Sequence, residues 1–257
     1  MSYYRFTVLL SASVPSNKRS EKYHENYTKI KNAQIQIEEA VIGLSRNIFQ
    51  AGGKIVFGGH PSISPLVAMV ATEFRLIKEI ENMKRNEEQE KPIIIFQSRA
   101  YEKVIPKETT GLFSLGYSNI IWTDAVDGEE FNPQIQGKPQ CEKSLAYMRR
   151  QMMKGNIDAL VCLGGMEGVE QEFEMFRELH PRKPIFLLAS TGGATKILAT
   201  EFSNSNIVRV IDDIDYQKPF REKIKGVEGD YPEKFDIIPY SFITGLIVKH
   251  ILDNKNN

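Results

Sequence analysis

Short apolar runs rich in β-branched residues recur along the chain, separated by longer stretches with helical periodicity. They read YRFTVLL at 4–10, KIVFGG at 54–59, PIIIFQ at 92–97, NIIWT at 119–123, DALVCL at 158–163, PIFLLA at 184–189 and NIVRVI at 206–211. Runs apolar at consecutive positions suit strands covered on both faces, as in a parallel sheet. Helices are predicted between them at about 27–50, 64–86, 141–154, 168–180 and 192–203, with a last one near 238–253. The alternation predicts an α/β fold, doubly wound around a mainly parallel sheet of Rossmann-like type, in a single domain over 1–257. Its core is expected over about 4–210, with the last helix in a C-terminal extension. The charge run EIENMKRNEEQEK at 79–91 reads as a solvated helix end and loop.

In such a fold ligands bind outside the carboxyl ends of the strands, so the strand exits carry the information. Four of them are unusual: SASVPS after the first run, GGHPSISP after the second, GGMEG after the fifth and STGGATK after the sixth. Glycine permits positive φ and close approach of a ligand to the backbone, and open N–H groups at a helix start suit a phosphate. The plainer reading is that these glycines serve tight turns and packing alone. No GxxxxGK[ST] is present and no GxGxxG follows the first run, which argues against a P-loop enzyme and an ordinary dinucleotide dehydrogenase.

Composition narrows the partners. Of 257 residues, 41% are hydrophobic and 26% charged, the balance of a globular protein. Lys plus Arg and Asp plus Glu both number 33, so no global field favours a nucleic acid or a membrane surface, and neither is expected as a partner. MSYYRFTVLLSASVP lacks a basic leader and no run reaches a membrane-spanning length, so a cytoplasmic location is expected. Cys141 and Cys162 form no CxxC pair, and His24, His60, His180 and His250 are scattered. No disulfide framework, metal site or cofactor is expected.

The segment MRRQMMKGNIDALVCLGGMEGVEQE at 148–172 resembles the Lonely Guy group, within the SLOG superfamily that also includes the DprA/Smf proteins. Lonely Guy enzymes carry an Arg, a Met four residues later, an Asp-Ala strand start and then PGGxGTxxE. Laid on this chain without a gap, the resemblance implies the catalytic Arg at Arg149, the Met at Met153 and Asp-Ala at Asp158 and Ala159. It places the last motif glycine at Gly168 and the catalytic Glu at Glu172. KIVFGGHPSISPLVAMVA at 54–71 is similar to that group's second strand and its double-glycine exit. The pattern departs where its proline, second glycine and threonine fall on Gly164, Met166 and Val169. The long SASVPSNKRSEKYHEN connection and the tail after 210 look more like stand-alone or domain-fused SLOG members that sense nucleotide-derived signals. Such members often stand beside sirtuin or TIR effectors in bacterial defence.

Two functions follow as expectations. The first is binding or sensing of a nucleotide or ADP-ribose-derived signalling ligand. Backbone N–H groups of Gly58, Gly59, Gly164, Gly165, Gly168, Gly192 and Gly193 would meet phosphates, with Arg149 as a charge-assisted clamp. Glu172 would accept from ribose hydroxyls, and Ser11, Ser13, Ser62 and Thr191, with His60 beside them, would add polar contacts. The alternative is a Lonely Guy-like phosphoribohydrolase cleaving the N-glycosidic bond of a nucleoside monophosphate. There Glu172 would stabilise the oxocarbenium-like charge or activate water while Arg149 holds the phosphate, with no metal needed. Plainer readings stand beside these: Arg149 as half of a surface pair, Glu172 as an acidic first-turn residue, His60 as a locally bonded loop residue, and Trp122 as core or an adenine-stacking wall. The expected partners are the nucleotide-derived small molecule, an effector of sirtuin or TIR type, and a second copy of the chain in a homo-oligomer.

Overall fold

In the computed structural model the described residues are 4–16, 21–30, 32–81, 91–105, 107–114, 118–135, 140–203, 205–211 and 238–256. The strands are β1 (Phe6–Ser13), β2 (Gly53–Gly58), β3 (Ile93–Ser98), β4 (Ser118–Thr123), β5 (Ala159–Gly164), β6 (Ile185–Leu188) and β7 (Val208–Ile211). They form one sheet in the order β4-β3-β2-β1-β5-β6-β7, with every neighbouring pair parallel. Each predicted run is a strand, and the doubly wound α/β class holds.

Consecutive apolar positions arise because both faces of the sheet are covered. From β1, Phe6, Val8 and Leu10 enter one core with Ile37, Leu44, Ile243 and Ile247, while Leu9 enters the other with Met152, Phe173 and Phe176. In β5, Ala159, Val161 and Leu163 take the first side and Leu160 and Cys162 the second. The first layer is built by α2 (Ala33–Gln50), α3 (Ser64–Glu81) and the C-terminal α8 (Tyr240–Asn256). The second contains α5 (Glu142–Met153), α6 (Glu167–Leu179) and α7 (Gly193–Glu201).

Two differences from the predicted elements have local causes. The helix expected over 27–50 is interrupted, because Asn32 adopts a left-handed conformation with φ 54° and caps α2, leaving a separate α1 (Glu21–Thr28) upstream. A short α4 (Lys107–Ser114) follows β3, in a KETTGLFS segment without a clear apolar stripe. The predicted residues 82–86 of the third helix fall outside the described residues, as does most of the 79–91 charge run. The last helix joins the main core. Asn47 Nδ2 donates to Ser241 O and to Thr244 Oγ1, each at 2.8 Å, and a Cβ on Gly43 would stand 3.2 Å from the Ser241 backbone. At the other end of α8, Asp158 accepts from Thr7 N at 2.9 Å and pairs with Lys255 Nζ at 3.0 Å, which ties α8 to the start of β5. Among the described residues no helix is long and apolar enough to cross a membrane.

The chain adds β2, β3 and β4 outward on one side of β1, then returns to lay β5 on its other side. The winding therefore reverses between β1 and β5, where Ser13 is in register with Gly164. A crevice at such a switch point is where doubly wound folds take their ligands.

Candidate functional site

β5 ends at Gly164, and the chain turns through Gly164 (φ 58°) and Gly165 (φ 83°) into α6. A Cβ on Gly165 would lie 2.1 Å from Val169 Cγ2, and one on Gly164 would lie 2.5 Å from Ile37 Cδ1, so both positions exclude a side chain. The turn is stitched to neighbouring loops. Gly165 N donates to Ser13 O (2.8 Å), Gly164 N to Thr191 Oγ1 (2.8 Å), Thr195 Oγ1 to Gly164 O (2.8 Å) and Ala194 N to Gly165 O (2.9 Å).

These bonds correct part of the expected donor set. The N–H groups of Gly164 and Gly165 are consumed within the fold, as are those of Gly192, bonded to Ala189 O at 3.1 Å, and Gly59, bonded to Phe96 O at 3.1 Å. Thr191 is 0% exposed and donates to Leu188 O as well as accepting from Gly164, so it braces the turn and has no face for a ligand. Gly192 and Gly193 are buried; a Cβ would meet Ile30 Cδ1 and Gly165 O respectively, each at 2.5 Å. Their glycines answer the plainer reading of turn and packing.

The open donors lie one step further on. Among the described residues the N–H groups of Met166, Glu167 and Gly168, at the start of α6, have no hydrogen-bond partner, and Met166 provides no side-chain cap. They sit at the positive end of the helix dipole. Arg149 comes from α5 to this place, where its Nη2 lies 3.0 Å from the position a Cβ on Gly168 would occupy. Its Nε donates to Glu172 Oε1 at 3.3 Å and its Nη1 to Gln171 Oε1 at 2.6 Å. Glu172 Oε2 accepts from Ser11 Oγ at 2.5 Å. The Arg149 and Glu172 side chains are both 13% exposed, which sets aside the surface-pair reading of Arg149. Ser13, on the same face of β1 two residues beyond Ser11, is buried with a hydroxyl that has no partner among the described residues.

The β2 exit closes on itself. Ser62 donates from its N to His60 Nδ1 at 3.2 Å, Ser62 Oγ is 2.8 Å from the same nitrogen, and His60 N donates to Ser64 Oγ at 3.2 Å. His60 and Ser62 therefore form the locally bonded loop that caps α3. Gly58 passes beneath α5, where a Cβ would be 3.3 Å from Met148 Cε. Trp122 lies on the edge strand β4, half-buried, with the Arg99 guanidinium 5.5 Å from its ring centroid.

The family model of the SLOG cluster3 family matches residues 26–224. The chain belongs to the SLOG cluster3 family. No curated protein matches this SLOG cluster3 chain. It is similar to the X-ray structure of TM1055, a structural genomics target, at 14% identity and a TM-score of 0.43, over 86% of this chain and 99% of that one.

The departures of this SLOG cluster3 chain from the Lonely Guy pattern have structural reasons. Met166 replaces a glycine at φ −134°, ψ −148°, where no left-handed conformation demands glycine. Its side chain is 7% exposed, and its sulfur accepts from Ser16 N at 3.5 Å, which draws the β1 exit loop down onto the turn. Val169, in place of the threonine, is buried against Gly165. Beneath Glu172, burial pushes the Cys162 thiol well up and the nearby carboxylate adds to the shift, so it stays protonated and inert.

Sequence reasoning missed Gln171, which carries no motif signal, and the α1 clasp. In that clasp Tyr23 Oη donates to Glu170 Oε2 at 2.7 Å and Lys22 Nζ pairs with Glu170 Oε1 at 2.8 Å. Burial, followed by the bond to Glu170, raises the Tyr23 hydroxyl's pKa. The signal was an aromatic residue in an otherwise polar connection, Tyr23 within SEKYHEN.

Proposed function

We propose that this chain binds a nucleotide-derived ligand of the AMP or ADP-ribose type, with a phosphate resting on the start of α6. The observation that carries this reading is the Arg149 guanidinium, held by Glu172 and Gln171 over Gly168 beside the unpartnered N–H groups of Glu167 and Gly168. A cation and converging backbone donors at a helix N-terminus are complementary to a phosphate. Glu172 keeps free lone pairs for ribose hydroxyls while Ser11 and Arg149 fix its orientation. A ligand bound without turnover is a signal. The proposed setting is cytoplasmic, in a homo-oligomer read by an effector of sirtuin or TIR type.

One observation favours a second reading, hydrolysis of the N-glycosidic bond of a nucleoside monophosphate: the two side chains that reaction needs stand 3.3 Å apart in one crevice. A carboxylate fixed beside the anomeric carbon stabilises developing positive charge. The two readings part on turnover. The unmodified protein is expected to release no free adenine from AMP, and Glu172→Gln to lower its affinity for ADP-ribose roughly ten- to a hundredfold, the worth of a hydrogen bond to a charged acceptor. Adenine release that Glu172→Gln abolishes would make the protein an N-glycosidase.

A further inference from the structure

β3 is apolar from Ile93 to Phe96 and then places Gln97 where the strand meets the carboxyl edge of the sheet. Gln97 is 8% exposed. Its backbone carbonyl accepts from Thr123 Oγ1 at 3.5 Å, but its carboxamide has no hydrogen-bond partner among the described residues. The amide is not among the side-chain groups cut off from solvent without a partner, so it opens on the carboxyl edge of the sheet and can meet a ligand there.

The neighbouring glycine shows where the amide reaches. A Cβ on Gly59 would stand 2.9 Å from Gln97 Oε1 and 3.2 Å from Ile95 Cγ2, so the carboxamide reaches the β2 exit only because residue 59 has no side chain. The Gly59 N–H is bonded to Phe96 O, which leaves the glycine no donor role towards a phosphate. Its role is to leave room for Gln97.

We infer that Gln97 reads the nucleobase of the ligand, pairing its amide with an adjacent donor and acceptor on a base edge. The inference rests on the phosphate reading above. With strands about 4.8 Å apart, β3 lies roughly 14 Å from β5 along the same edge, so a nucleotide anchored at α6 meets Gln97 by extending across β1 and β2. Gln97 shares the sheet side of Ile95, opposite Ser11 and Glu172, so the ligand crosses the edge from phosphate to base. A carboxamide offers one acceptor and two donors in a plane and matches the adenine edge bidentately.

Calorimetric titration with AMP and with ribose 5-phosphate, which lacks the base, tests this. The native protein is expected to bind AMP more tightly than ribose 5-phosphate. Gln97→Met, close in volume, is expected to weaken AMP about tenfold and leave ribose 5-phosphate unchanged, which also reports that the variant is folded. Gln97→Glu, which removes the donor, is expected to behave in the same way. Unchanged AMP affinity in both variants, or an equal loss for both ligands, overturns the assignment. Equal native affinity for the two ligands overturns it while sparing the phosphate reading; native binding of neither overturns both.

Discussion

Arg149→Ala is expected to weaken affinity for ADP-ribose roughly ten- to a hundredfold. The guanidinium has one nitrogen on Glu172, one on Gln171 and Nη2 over Gly168, so it is oriented before any ligand arrives and spends little entropy on binding. Removing it takes away the cation at the mouth of α6 and leaves Glu172 with Ser11 alone. Arg149→Lys keeps the charge but has no fork to hold Glu172 and Gln171 while facing Gly168, and is expected to recover only part of the affinity. Titration calorimetry on the two variants at fixed salt checks both statements. A phosphate seated elsewhere would leave the affinities equal to that of the unmodified protein.

Gly193→Ala is expected to lower the melting temperature by roughly 6–12 °C. Gly193 has φ 60°, a left-handed conformation that costs a residue with a Cβ about 1–2 kcal/mol by itself. The added methyl would also stand 2.5 Å from Gly165 O and 3.0 Å from Gly164 C. That oxygen accepts from Ala194 N, and its neighbour Gly164 is bonded to Thr191 and Thr195, so the backbone cannot move away without breaking the stitching of the turn. Gly155→Ala is the matched control, because a Cβ there meets nothing within 4 Å. Thermal melts followed by circular dichroism should show a large shift for the first and almost none for the second. Equal shifts would mean that the two glycine loops are not locked together.

The sheet was legible because strands covered on both faces must be apolar at consecutive positions, a signal that survives in six-residue runs such as ALVCLG. The interruption at Asn32 was not legible, since a single left-handed residue leaves no mark in the periodicity around it. Within the site, the 23-residue spacing brought Arg149 onto Glu172, and the resemblance pointed to that pair. The glycines told less than they promised. Sequence marks where backbone donors stand near a strand exit but not where those donors already point, and Gly59, Gly164, Gly165 and Gly192 spend theirs inside the fold. Thr191 reads as a ligand-facing hydroxyl only until the β6 exit is seen to fold beneath the turn, where Thr195 bonds Gly164 as well. Gln97 ended a predicted strand with no motif around it, and only the carboxamide reaching past Gly59 marks it.

The central claim is that a phosphate occupies the start of α6 under Arg149. Amide chemical shifts in a 15N-labelled sample, followed during titration with ADP-ribose and repeated with AMP, test it most directly. The account predicts that the Glu167 and Gly168 amides move furthest downfield, that the Arg149 Nε signal moves with them, and that the amides of Gly164 and Gly165, already bonded to Thr191 and Ser13, move little. Saturable shifts confined to another crevice, with Glu167 and Gly168 unmoved, would contradict it.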